Sequence, residues 1–518
     1  MADAPKKILL LSDPALGQLN VHLATAHALL NLYPSLQVHV AAHPSAANVV
    51  SRLSQRALET CPPAREPVHF HALENAQSQE EAYLLIPGAE VARHLGRNTW
   101  RNFLVADKLL NLINPWTKEK FLEAHDDIER VITEVRPDVI AVDPMFAPAL
   151  TAARNSGIKW HLLMPLSMKD VYIGPDALWR IPLSGTGWPY PLPWYLVPLN
   201  ILNSLALHLA LARGAAWKEK RVFFREKTGK EATLFYIEPV QEGIPGWKAL
   251  VPSLPEYEYP LRKLDYLIPC GPILQPVRDL KAQDAELDGW LAEGPTVYIS
   301  LGSHRVMDEE WAVEMARALR LVFDEADSKA EDESEKEGKS EVGKLRVLWK
   351  LRKTGNQFLS AGRGDVDYDT GKGSTVYEIL AKEIDSGRVR IVNWLDADPI
   401  SVLASGHVVC AVHHGGANSS IEAIAPSAHS FGVPHVILAG WADCYDWAAR
   451  IQYLGIGRWG NRKANPDWTT RELGKELIAV VCGPEAAGMK EKARALADRI
   501  QKHPPGREVA ARTLMEGV

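Results

Sequence analysis

Short apolar runs alternate with stretches of helical period along most of this 518-residue chain. "KKILLLSD" reads as a buried strand, and "NVHLATAHALLNLY" as a helix carrying Leu23, Ala26, His27 and Leu30 near helical spacing. "LQVHVAAH" and "RPDVIAVDPM" supply further strands. Strands separated by helices imply a parallel sheet covered on its faces. A proline-rich stretch at 250–276 reads as a linker, after which the pattern restarts. "PTVYISLGS" is a strand entering a glycine turn, "DEEWAVEMARALRLVF" a helix, and "LRVLWKL", "GRVRIVNWL", "HVVCAVHH" and "PHVILAG" are strands. Two α/β halves of similar size follow, which form a cleft, and ligands of such sheets bind beyond the carboxyl ends of the strands. Residues 324–344 are almost all charge, serine and alanine, and are expected to form a mobile surface loop. Near the end, Ala493, Leu496, Ala497 and Ile500 make one apolar helical stripe.

Composition narrows the class. The chain is 46% apolar and 24% charged, as soluble globular proteins are. A net charge of -6 carries no basic footprint, which argues against nucleic acid as a partner. Five scattered cysteines form neither a disulfide framework nor a zinc cluster. The opening "MADAPKKILLLSD" lacks a signal-peptide apolar run, so a cytoplasmic protein is expected. Residues 190–218 are strongly apolar, interrupted by Asn200, Asn203, Ser204 and His208. They read as a helix inside the domain, with peripheral membrane contact as the alternative.

The stretch "HHGGANSSIEA" concentrates the chemistry. His413 and His414 end a strand, where neighbouring side chains face opposite ways, so they are unsuited to share one metal ion. Gly415 and Gly416 let backbone amides approach a ligand, and Asn418 or Ser419 would cap a helix starting at once. Such a terminus is an anion site, and Glu422 one turn later can accept bonds from ribose hydroxyls. A structural turn is the competing reading. "GIGRWG" matches a dinucleotide fingerprint in letters only, because a helix end precedes it; helix-terminating glycines explain it better.

"HHGGANSSIEA", followed by "FGVPHVILAGWADCYDWAAR", resembles the donor signature of the family 1 UDP-sugar-dependent glycosyltransferases. That resemblance implies an α/β fold of the GT-B type, two Rossmann-like parallel-sheet domains facing across a cleft. It places an acceptor domain at 1–255, a nucleotide-sugar domain at 256–484 and, at 485–518, a helix packing back on the first domain. His414, Gly416, Asn418, Ser419 and Glu422 fall in register with the signature. His414, Asn418 and Ser419 would then contact the diphosphate, Glu422 the ribose, and Asp443 the sugar hydroxyls. Trp394 is similar to the tryptophan that stacks on uracil, and Gly302 and Ser303 to the turn near the nucleotide. Cys444 stands where the family commonly has glutamine.

The implied activity is inverting transfer of a hexosyl group, glucosyl by similarity, from a UDP-sugar to a small apolar hydroxylated acceptor. The UDP-sugar is a co-substrate; no metal or other cofactor and no obligate protein partner are expected. Many members carry a catalytic histidine in a Gly-His turn after the first strand, and here that turn is Gly17-Gln18. Its usual aspartate partner is present as Asp143. Asp143 itself, or His22 one turn along the helix, are the candidate bases. The aromatic, proline-rich 185–198 is a candidate part of the acceptor pocket. A nucleotide-sugar-binding protein that has lost catalysis is the rival, with Gln18 as its support; an epimerase or hydrolase on the same fold is another.

Overall fold

Seven strands form the first sheet: β1 (Lys7–Leu11), β2 (Gln37–Ala42), β3 (His69–Ala72), β4 (Val139–Val142), β5 (Lys159–Leu163), β6 (Ala249–Val251) and β7 (Leu267–Pro269). Six form the second: β8 (Thr296–Ser300), β9 (Arg346–Lys350), β10 (Val389–Val392), β11 (Val408–His413), β12 (His435–Ile437) and β13 (Gly457–Trp459). This computed structural model describes all residues except 1–4, 61–65, 85–110, 112, 303–304, 335–343, 354–367 and 426–431. The orders are β3-β2-β1-β4-β5-β6-β7 and β10-β9-β8-β11-β12-β13, with parallel pairing throughout. Parallel sheets are covered on both faces, so their central strands are apolar along their length. Ile8, Leu9, Leu10 and Leu11 are accordingly all sealed from solvent. The winding direction reverses between β1 and β4 in one sheet and between β8 and β11 in the other. Such switch points leave a crevice beyond the strand ends, and residues following all four strands line one cleft.

Three sequence expectations change. The first sheet extends past residue 255 to include β7, so the boundary lies after Pro269. A three-residue edge strand offers too little alternation to be read as one. The charged 324–344 stretch is not a loop throughout, because the helix Glu309–Ser334 runs through its first half. Alanine, glutamate and lysine favour helix, and Arg388 and Lys382 hold Asp327. Residues 335–343 lie outside the described residues. At the end of the chain there are two helices. Ala486–Ile500 buries Ala493, Leu496 and Ile500 against Tyr257, Ile421 and Trp447. It is Gly506–Met515 that crosses to the first sheet and buries Ala510, Ala511 and Leu514 there.

Buried charges join the halves. Arg450, on the helix Ala442–Leu454, lies 2.9 Å from Glu258 and donates to Ser167 Oγ at 2.9 Å. Lys169 pairs with Asp446 at 2.7 Å, and Asp446 also accepts the backbone N–H groups of Gly185 (2.6 Å) and Gly187 (3.0 Å). Directional bonds of this kind fix the width of the cleft between the sheets.

Candidate functional site

Only residues 414–416 separate β11 from the helix Ala417–Ile424. So tight a turn requires Gly415, at φ +91°, where a Cβ would lie 2.7 Å from Ile437 Cγ2 and 3.0 Å from the Cys444 carbonyl oxygen. His413 faces inward and braces the turn. Its Nδ1 accepts the Gly415 N–H at 3.1 Å, so its proton sits on Nε2 and is shared with His435 Nδ1 at 2.9 Å. Burial keeps both rings neutral, taking His435 down to about 3. His414 takes the other face and lines the cleft. Its imidazole sits against Gly302, where a Cβ would come within 2.7 Å of Cε1, and lies 5.4 Å from the Trp441 ring.

The helix is capped by Gly416, not by Asn418 or Ser419, and no side chain takes the capping bond. Asn418 sits inside the first turn and reaches across to the first domain, donating to the carbonyls of Gly17 (3.0 Å) and Leu16 (3.4 Å). First-turn N–H groups have no intrahelical acceptor, and Gly416, Ala417, Asn418 and Ser419 all line the cleft. Glu422 follows on the same wall; burial and the neighbouring Asp398 push its carboxyl up to about 7, against the pull of Lys350. Trp394 lines the cleft and is 56% exposed, so a ring face is open to a base. Gly302 is there too, whereas Ser303 lies outside the described residues.

Asp443 also lines this wall, raised to about 7 by burial and by Asp170 and Asp446. Ala442 before it adopts φ +31°, a strained value for a side-chain-bearing residue. Cys444 does not join the site. It is fully buried in the core with Ile437 and Trp447, so its side chain offers the cleft no hydrogen-bonding group. Lys350 was missed in the sequence. It ends β9, its Nζ sits 4.0 Å from the Trp394 ring centroid, and it lines the cleft. The available signal was its place at the carboxyl end of a strand.

The cleft holds about 700 Å³. Its opposite wall has an apolar surface built from Ile113, Met145, Pro165, Leu166, Ile273 and Leu274, with Gln18, Asn20, Gln79 and Tyr83 as polar points and Arg52 and Arg56 as charged ones. The 185–198 stretch contributes nothing to this lining. Gly185 and Gly187 are bonded to Asp446, while Trp188, Leu192 and Leu199 form a small cluster of their own.

No family model matches the chain. A curated relative, the glycosyltransferase sdnJ of Sordaria araneosa, is 32% identical over 471 residues, covering 86% of this chain and 82% of its own. The chain belongs to the glycosyltransferases of the family 1-like GT-B group. Erythritol-mannosyl-transferase 1 of Mycosarcoma maydis is 23% identical over 600 residues, covering 98% of this chain and 91% of its own. Among solved structures, UGT2 of Phytolacca americana, complexed with UDP-2-fluoroglucose and pterostilbene, matches with a TM-score of 0.56 at 15% identity over the full length of both chains.

In this glycosyltransferase neither candidate base, His22 or Asp143, lines the cleft. His22 is fully buried in the helix Leu16–Leu32, does not line the cleft, and desolvation drops its imidazole to about 3. That removes it as a base within reach of a substrate. Asp143 also lies beneath the cleft surface. It accepts the backbone N–H groups of Met145 (2.9 Å) and Asp13 (3.2 Å), and burial raises it to about 8. Asp143 thus braces the turns after β1 and β4. Gln18 does face the cleft, with its amide donating to Gln79 Oε1 at 3.3 Å.

Proposed function

We propose that this glycosyltransferase moves a hexosyl group from a UDP-sugar, with inversion, to a small apolar hydroxylated acceptor. The observation that carries the reading is the pairing of two unlike walls across one cleft. One offers a helix N-terminus beside His414, with Glu422 and Trp394; the other combines an apolar surface around Ile113, Met145 and Leu166 with amides, Tyr83 and the arginines Arg52 and Arg56. The first suits a nucleoside diphosphate: amides and His414 at the phosphates, Glu422 at the ribose, Trp394 under the base, Asp443 at the sugar hydroxyls. Metal is dispensable in this scheme, because the helix terminus and His414 stabilise the leaving diphosphate.

The acceptor hydroxyl oxygen attacks the anomeric carbon from the face opposite the diphosphate. The bond to the β-phosphate oxygen breaks, and its electron pair leaves with UDP. Gln18 can hold the hydroxyl but cannot take its proton, which passes to water in the cleft. Acidic hydroxyls such as phenols are therefore the favoured acceptors. The direct test is incubation of the protein with UDP-glucose and other UDP-hexoses, over a panel of apolar phenols and alcohols, reading UDP release and product mass. UDP release coupled to a glycoside is expected; binding without release would point to a lost activity, and free sugar alone to hydrolysis.

A base restored at the empty position is the complementary prediction. Gln18→His should raise turnover of alcohol acceptors by at least about tenfold and add a rising limb near the ordinary imidazole value of about 6.5. An unchanged pH–rate profile in that variant would show that the missing base is not needed at residue 18.

A further inference from the structure

The helix Val197–Arg213 is polar inside and apolar outside. Asn200, Asn203 and Ser204 are at most 5% exposed, while Ile201, Leu202, Leu205 and Leu209 are 40–54% exposed. A surface helix of a soluble protein shows the reverse. The buried amide has a structural task that explains half of the inversion. Asn200 accepts the Leu183 N–H at 2.8 Å and donates to the carbonyls of Leu178 (2.8 Å) and Ile181 (3.1 Å). That ties the exposed Leu178 and Trp179 alongside the helix.

The outward face is not explained by any packing within the described residues. A short turn, Trp194–Leu196, leads into the helix and presents Trp194 at 84% and Tyr195 at 63% exposure, their rings edge-to-face at 6.0 Å. Eight of the fourteen exposed large apolar side chains of the described residues lie between 178 and 209, so this is one patch and not scatter. No Asp, Glu, Lys or Arg occurs from Tyr190 to Ala212. At the rim beside Leu178, Arg180 and Arg262 both face the single carboxylate of Asp176, at 3.1 and 3.6 Å, leaving net positive charge.

We infer that this face docks the protein on an anionic lipid bilayer, lying in the interface without crossing it. An apolar face with a tryptophan–tyrosine pair at one end suits the boundary between headgroups and acyl chains, and cationic side chains at the rim suit anionic headgroups. The helical stretch from Trp194 to Thr228 contains a segment apolar enough to span by composition. It is broken at Gly214, with φ −55° and ψ 123°, into two helices. The first is 17 residues, about 25 Å long, and one of its sides is committed to the protein.

The test is flotation of the full-length protein with vesicles of phosphatidylcholine alone and of phosphatidylcholine enriched in phosphatidylserine. The protein is expected to float with both, and more with the anionic vesicles. The double variant Trp194→Ser, Leu205→Ser should lose binding by about tenfold or more, with turnover of water-soluble acceptors unchanged because neither residue lines the cleft. Arg180→Gln with Arg262→Gln should lose the preference for anionic vesicles and keep the rest. Failure of the wild-type protein to float with either vesicle overturns the inference. So does a wild-type dimer that the double variant turns into a monomer without any vesicle binding, since the face would then meet a second copy.

Discussion

His414→Ala is expected to lower kcat about 10²–10³-fold while changing the donor KM far less. The side chain lines the cleft beside the start of the helix Ala417–Ile424, where the proposed reaction develops charge as the diphosphate departs. Its seat is pre-formed by Gly302 and Gly416, each too close to the imidazole to tolerate a Cβ, so little reorganisation is needed at the moment of bond breaking. Gly302→Ala should therefore mimic part of the loss without removing the imidazole. Steady-state rates at saturating acceptor separate the two outcomes. A fall in donor affinity with kcat intact would mean that His414 binds ground and transition states equally.

The second large effect concerns the joint between the domains. Arg450→Met removes the cation that faces Glu258 at 2.9 Å, and both residues are sealed from solvent. Breaking a buried pair from one side leaves an uncompensated charge, at a cost of about 3–5 kcal/mol. The guanidinium also lies against the rings of Trp447 and Tyr259, so packing is lost with the charge. Urea unfolding of Arg450→Met beside the double variant Arg450→Met, Glu258→Gln measures this. The double variant should recover a substantial part of the loss. Equal destabilisation of the two would assign the effect to packing alone. Because the same helix carries Asp443, the single variant should also weaken donor use at temperatures where it stays folded.

Much of the donor wall was legible in the sequence because it is local. A strand, two glycines and a helix start within a dozen residues turn the helix N-terminus toward the cleft, and the register brings His414 and Glu422 onto the same wall. Side-chain direction was less legible. Cys444 follows Asp443 on a helix, and one step along a helix turns a residue by about 100°, enough to carry the thiol into the core. The role of His413 depended on His435, a partner on the neighbouring strand that no local pattern announces. On the acceptor side, sequence placed the 185–198 aromatics in the pocket, yet long-range bonds to Asp446 and the inverted helix that follows hold them elsewhere. That Gln18 carries no base is readable from the residue itself, whereas burial of His22 and Asp143 is a tertiary fact.

The proposed reaction has the acceptor and the diphosphate on opposite sides of the transferred sugar. The most direct measurement is the proton NMR spectrum of the glycoside formed from UDP-α-glucose, or the first UDP-hexose accepted, with a phenolic acceptor. A β-linked product, appearing together with stoichiometric UDP, is the expected result. An α-linked product, or UDP released with free glucose as the sole partner, would contradict inverting transfer in this cleft.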